Sequence, residues 1–491
     1  MTRQTASETI FFIDRNNRTG LQSQLRESIV SSVLAGRLPP SMHLPSTRKL
    51  ATYLNISRIT VTLAYSELAA QGYLEAVDRS GYRVARKPPT SLTAPSPFVS
   101  HQKKIDWNTR LARSFIVAKP MRKPLDWRRY PFPFLYGQMD TSLFDLAAWR
   151  DCARRALARD DFELMAGDFA AADDMQLIDY IRSRTLPSRG IHAAPDEILV
   201  TVGAQNALWI VTQLLLRPGG RAACENPCHP DIGATLRLSG ASVFMLDVDS
   251  DGLQPAHVPR SVDAIFVTPS HHSPTGVTMP LDRRLRLLAA AARDDFIIVE
   301  DDYEFEMSYI EPPSPALKAF DRSERVFYIG SFSKSLFPGL RLGYLVAPAP
   351  VIHEARALRA LMLRHPPGHL QRTAAYFLAL GHHDAALQRM RTEYHRRHVE
   401  MADALDREGL KVAGSRAFRG TSFWIEGPAG LDADLLMMNL RDQGVLIESG
   451  SPFFGDSDGP CPFFRMGYSS ISRQQIAEGV RLTKKGMDRL L

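Results

Sequence analysis

Only four cysteines occur in 491 residues, Cys152, Cys224, Cys228 and Cys461, and no two of them form a CxxC pair. That scarcity excludes a disulfide-stapled scaffold and fits a reduced compartment, so the expected location is the cytoplasm. No HExxH motif or supporting carboxylate set accompanies the histidines at 271–272, 382–383, 395 and 398, and no metal site is expected. Long apolar runs are missing as well. The most apolar stretch, Ala207 to Leu216, is too short to cross a bilayer, and the start of the chain, with Arg3, Glu8 and Asp14 around a short apolar patch, does not read as a signal peptide. No membrane association is expected. The composition lacks extremes too, at 44% hydrophobic and 23% charged, in a chain longer than one core usually supports, so two or more domains are expected.

What is present is an asymmetry. The formal net charge is +7, and residues 1 to 90 hold twelve Lys and Arg against six Asp and Glu, so nearly all of the excess sits there. A basic small domain ahead of a nearly neutral large one suits contact with a polyanion. Its pattern is specific. Leu21, Leu25, Ile29 and Val33 share one helical face, ended by Gly36 and Pro39-Pro40. Ser46 can cap a second helix running through Leu50 to Leu54, with Asn55 in the left-handed turn. Ser57 can cap a third, whose stripe Val61, Ala64, Tyr65 and Leu68 faces inward. Segments Tyr73 to Val77 and Tyr82 to Ala85 flank Asp78-Arg79-Ser80-Gly81 as a β-hairpin, which completes a winged helix-turn-helix over residues 14–85.

From 86 to 133 prolines are scattered among Ser, Thr and Lys, the composition of a partly extended linker. From 134 to 491 helical stretches alternate with short apolar strands, at Glu197 to Val202, Arg221 to Cys224, Ala264 to Val267, Phe296 to Glu300 and Val326 to Ile329. Alternation on that scale predicts an α/β domain with a largely parallel sheet.

In a helix-turn-helix the amino end of the recognition helix reaches base edges while the preceding helix crosses the phosphates. Arg58 and Thr60 are thus candidate base contacts, Arg48 a backbone or base contact, Ser57 a phosphate contact, and Gly81 at the wing tip permits close approach to the minor groove. The runs from Leu44 to Ala51 and from Ser57 to Val61, with Gly72-Tyr73-Leu74 and Gly81-Tyr82, resemble the GntR-family winged helix.

A second resemblance lies in the large domain. Ser331-Phe332-Ser333-Lys334 follows a strand and is followed by Pro338-Gly339-Leu340-Arg341-Leu342-Gly343, which resembles the signature of fold-type I, class I aminotransferases. The resemblance implies the cofactor pyridoxal 5′-phosphate (PLP), held by Lys334 as a Schiff base, with Ser331, Ser333 and Arg341 on the phosphate. Asp301 would pair with the pyridine nitrogen, with Asp302 as the alternative, and Tyr303 would donate to the ring oxygen. Amides of Ala204 and Gln205 open a helix after Gly203 and are suited to phosphate. Two positions depart from the family. His229 stands where an aromatic stacks on the ring, and Ser273 where an asparagine bonds the ring oxygen, which weakens the case for efficient transamination. Arg465 resembles the arginine that takes the substrate's carboxylate, and a guanidinium suits carboxylate or sulfonate.

A GntR-like winged helix, a proline-bearing linker and an aminotransferase-like domain in that order resemble the MocR subfamily of regulators. The resemblance implies a transcription regulator that binds double-stranded operator DNA and senses a small primary amine at the PLP site through external aldimine formation. It also implies a homodimer whose winged helices could be exchanged between partners. Two rivals stand beside it: a working aminotransferase with an accessory winged helix, and a DNA-binding dimer that holds no cofactor.

Overall fold

Leu25, Ile29 and Val33 recur on one face of α1 (Leu21–Leu34) and meet Leu50 and Ala51 of α2 (Thr47–Leu54) and the buried stripe Val61, Ala64, Tyr65 and Leu68 of α3 (Arg58–Ala70). In this computed structural model, which describes residues 5–15, 19–78, 81–89, 106–111, 115, 121, 123–168, 171–307, 314–415, 420–455 and 459–490, those three helices form the core of the first of two units, Met1–Ser114. The caps are those the sequence offers. Ser46 Oγ accepts from the amide of Lys49 at 3.3 Å and Ser57 Oγ from that of Ile59 at 3.2 Å, satisfying helix-end donors. Asn55 closes α2 at φ 53°, ψ 48°. The wing is the antiparallel pair β1 (Leu74–Val77) and β2 (Gly81–Val84), with Glu75 facing Arg83 and bonded to it at 2.7 Å. Its second strand starts and ends one residue before the expected Tyr82 to Ala85; Arg79 and Ser80 of the expected turn lie outside the described residues.

The second unit, Phe115–Leu491, contains two layers of strands. The main sheet has eight, in the order β4 (Ile198–Thr201), β11 (Gly343–Val346), β10 (Val326–Ser331), β9 (Ile297–Asp302), β8 (Ala264–Val267), β5 (Arg221–Asn226), β6 (Ser242–Asp249) and β7 (Gly252–Leu253). The pairs from β10 through β6 are parallel; β11 is antiparallel to both neighbours, and β7 to β6. Central strands such as Ala264–Val267 and Val326–Ser331 are buried throughout, as expected when both faces are covered. Among the covering helices are α4 (Ala204–Leu215), α5 (Pro230–Leu238) and α6 (Leu281–Asp294), with Leu287, Ala290 and Ala291 of α6 in the core.

A smaller lobe packs α7 (His382–Arg407) and α8 (Arg473–Asp488) on a four-stranded antiparallel sheet of β12 (Lys411–Val412), β13 (Ser422–Glu426), β16 (Phe463–Gly467) and β15 (Glu448–Ser449). Here the structure departs from the expected linker boundary. Phe132–Pro133 is a strand, β3, paired with β14 (Val445–Leu446), and Phe132 packs on the core of the lobe, so the large unit is already built before residue 134. No helix among the described residues is long and apolar enough to cross a membrane. All four cysteines are buried thiols.

Candidate functional site

Parallel pairing of β9 with β10 sets Ile329 opposite Asp301 and Gly330 opposite Asp302, so the carboxylates and Ser331 emerge together at the carboxyl edge of the sheet. That edge is where open α/β sheets bind ligands. A cavity of about 230 Å³ opens there, lined by Ala204, Gln205, His229, Ser273, Asp301, Tyr303, Ser331, Ser333, Lys334 and Arg341. All ten residues singled out in the large domain for the cofactor therefore face one space. Tyr136, Asp231 and Thr268 also line it, and the sequence reading gives none of the three a role.

One end of the cavity is built for an anion. Gly203 turns at φ +78° into α4, whose first residues, Ala204 and Gln205, carry unspent helix-terminal amides. A Cβ at Gly203 would lie 2.9 Å from Nη2 of Arg341, so the glycine is what lets the guanidinium lie against this turn. Ser331 Oγ accepts from the amide of Ser333 at 3.2 Å. Gln205 donates to Asp231 at 2.9 Å, and Asp231 in turn sits in the first turn of α5, whose cap is His229.

At the other end Asp301 and Asp302 separate by partner. Asp302 is spoken for: Oδ2 accepts from Nε of Arg189 at 2.7 Å and from the hydroxyl of Tyr328 at 2.8 Å, in a pair shut away from water. Asp301 lines the cavity, and its buried Oδ1 has no hydrogen-bond partner among the described residues. Burial, with Asp302 beside it, pushes the Asp301 carboxyl up to about 7. Burial also holds the phenol of Tyr303 well above its ordinary range, with the Ser273 side chain opposing. Thr268 is fixed by Glu225, which accepts from its amide at 2.9 Å and its hydroxyl at 2.7 Å.

Lys334 stands over this space with Nζ 3.9 Å from the centre of the Tyr136 ring and in contact with the site a Cβ at Gly137 would take. Desolvation lowers its pKa to about 7; Glu304 opposes the shift, while Lys123 and Arg465 add to it. Glu304 is itself held by the hydroxyls of Tyr136 and Thr421, each at 2.8 Å, and lies 3.3 Å from His271 Nε2. Arg465 is buried against Tyr136, its Cζ 4.0 Å from the ring centre, and its Nε is bonded to Glu448 at 2.8 Å. It does not line the cavity itself.

PLP needs an anion cup, a carboxylate for its pyridine nitrogen, a donor for its ring oxygen and a lysine. The orphaned carboxylate oxygen of Asp301 and the glycine-cleared cup beside Arg341 suit that group, and Lys334 belongs to the same lining. In the first unit Arg48, Ser57, Arg58 and Gly81 are exposed, and Thr60 is half-buried. Ile59, Leu63 and Tyr53 are also unusually open for apolar side chains, at 70%, 50% and 51% exposure, which marks the amino end of α3 and the adjoining α2 as a contact face.

Residues 139–481 match the family model described as aminotransferase class I and II, and residues 21–84 match that of bacterial regulatory proteins, gntR family. The chain is 48% identical to the HTH-type transcriptional regulator TauR of Rhodobacter capsulatus, over 96% of this chain and 97% of that one. It is 31% identical to the probable rhizopine catabolism regulatory protein MocR of Rhizobium meliloti, over 95% and 94%. Among solved structures it is similar to LysN, the α-aminoadipate aminotransferase of Thermus thermophilus complexed with N-(5′-phosphopyridoxyl)-L-leucine, with 26% identity and a TM-score of 0.69 over 79% of this chain and 99% of that one.

Proposed function

Because this chain belongs to the MocR-type GntR regulators, transcription regulators in which a gntR-family winged helix precedes an aminotransferase class I and II domain, we propose that it binds operator DNA under the control of a small primary amine taken up at Lys334. The observation that carries this reading is the single cavity in which Lys334, Asp301 and the cup around Arg341 converge. When bound there, PLP supplies an aldehyde that condenses reversibly with primary amines.

The protein's own residues then divide the work. Amides of Ala204 and Gln205, the hydroxyls of Ser331 and Ser333 and the Arg341 guanidinium would bind the phosphate. Asp301 would hold the proton at the pyridine nitrogen, Tyr303 and Ser273 would serve the ring oxygen, and His229 would cover the ring. Lys334 would hold the cofactor while no amine is present, and Arg465 would draw amines that carry an acid. Binding controls transcription only if the amine prefers one arrangement of the protein over another. The regulator acts as a cytoplasmic homodimer, consistent with two-fold operators.

The test is operator affinity of the full-length, PLP-loaded protein across a panel of amines, with the visible spectrum recorded in parallel. An amine that shifts both supports the sensor. Steady turnover of an amino donor with a keto acid, with operator affinity unmoved by every amine, overturns it in favour of an aminotransferase. On the DNA side, Arg58→Ala is expected to weaken specific binding by about 1–3 kcal/mol, roughly 5- to 150-fold, and to relax base preference at one position of each half-site. Gel-shift titration on operator variants measures both; a uniform loss on all sequences would make Arg58 a phosphate contact.

A further inference from the structure

Resting on that reading, we infer that Lys123, from the stretch that the sequence presents as linker, is a second cation of the effector site, and that it and Arg465 together receive the acidic head of a short amino acid or aminosulfonate. Glu448 is their internal counter-charge.

Glu448 and Arg465 face each other across β15 and β16, which places the carboxylate at the guanidinium by strand register. Its bond goes to Nε, so the carboxylate does not occupy the Nη edge. The neighbour of Nη2 is the sulfur of Met121, 3.9 Å away, a weak acceptor. Arg465 packs against two rings, with Cζ 4.0 Å from the centre of Tyr136 and 4.7 Å from that of Phe453, which restrict its guanidinium. Lys123 reaches the same carboxylate from the other side, Nζ to Oε1 at 3.1 Å, and also donates to the carbonyl of Tyr136.

Two cations thus share one anion in a place where Arg465 is 1% exposed. Lys123 is 26% exposed, so an acid arriving there meets one buried and one partly solvated cation that share the single charge of Glu448. Geometry sets the spacing. Lys334 Nζ and Arg465 Cζ lie 3.9 Å and 4.0 Å from the same ring centre, so at most about 8 Å separates them. A guanidinium-bound acid places its central atom about 4 Å from Cζ. An amine at Lys334 and an acid at Arg465 are therefore within the span of one short molecule.

β-Alanine and taurine are short amines that carry an acid, and ethanolamine is a comparable amine without the acid. The experiment titrates PLP-loaded, full-length wild type, K123M, K123R and E448Q with each probe, by calorimetry and by visible absorbance. K123M is expected to weaken β-alanine and taurine at least tenfold while ethanolamine stays within twofold; K123R recovers most of the loss. E448Q, which removes the counter-charge but keeps an acceptor for Nε, is expected to tighten the acid-bearing probes at least threefold, and this arm stands even if K123M fails to fold. An unchanged β-alanine to ethanolamine ratio in K123M, equal loss of both in a folded K123M, or an E448Q that does not tighten overturns the proposal while leaving sensing at Lys334 intact. A wild type that binds none of the probes overturns both.

Discussion

Lys334→Ala is expected to remove the amine response altogether: no visible band on adding PLP, and operator affinity unmoved by any amine. The wild-type amine should meanwhile behave unlike an ordinary lysine. Its pKa is lowered to about 7, chiefly by desolvation, against Glu304 and with help from Lys123 and Arg465. The neutral amine is the nucleophile and forms above the pKa, so near pH 7 about half of Lys334 is reactive, where a lysine of pKa 10.4 would be neutral in about one molecule in 2,500. The expected gain in reactive fraction is on the order of a thousandfold. Stopped-flow loading of cofactor-free protein between pH 6 and pH 9 checks this. The rate should rise with a midpoint near 7 and level off above 8, and a rate still climbing tenfold per unit at pH 9 would show an unperturbed amine. Replacing Glu304 by glutamine, which removes the charge that opposes the shift, should move the midpoint lower.

Much of this arrangement is legible without coordinates because it is local. Ser46 and Asn55 bracket α2 through a side-chain cap and a left-handed residue, both decided within a few positions of chain. The strand Ala264–Val267 has the expected bounds because a short apolar run between turn residues has little else to do. The strand before Asp301 runs two residues past its expected end at Glu300, since pairing with β10 continues to Gly330 and Asp302, beyond the apolar residues that mark it in sequence.

The misplaced linker boundary has an equally physical cause. Pro131 and Pro133 read as breakers because proline cannot donate to a ladder. In β3 the amides that bond are those of Phe132, to Gly444 at 3.2 Å, and of Phe134, to Leu446 at 2.9 Å, so Pro133 falls where no donor is needed. Tyr136, Glu304 and Glu448 were invisible for a different reason. They carry no motif, and tertiary packing alone brings residues so far apart in the chain to one lysine and one arginine. Asp301 and Asp302 are the sharpest case, since alternation says only that neighbours on a strand face opposite ways.

That difference in facing makes the adjacent carboxylates opposite in consequence. Asp302→Ala is expected to cost the large unit about 3–5 kcal/mol, or two to three and a half orders of magnitude in its folding equilibrium, because it leaves a fully buried guanidinium without its counter-charge. Arg189 would keep Ser270 Oγ at 2.8 Å and the carbonyl of Ser314 at 2.5 Å, neither of which carries charge, and Tyr328 would lose its acceptor. Asp301→Ala is expected to cost the cofactor-free protein less than about 1 kcal/mol, since Oδ1 of the carboxylate it deletes has no hydrogen-bond partner among the described residues, and unmet polar groups are the expensive ones. Its loss should appear instead in cofactor retention. Denaturant unfolding of cofactor-free protein, followed by the fluorescence of Trp149 and Trp424 in the large unit, separates the two. If Arg189→Leu is combined with Asp302→Leu, part of the stability lost in Asp302→Ala should return, because an apolar pair strands no charge. Equal costs for the two alanine variants, or a larger one for Asp301, would mean that Asp301 holds the fold together and that Asp302 is the carboxylate left for the pyridine nitrogen.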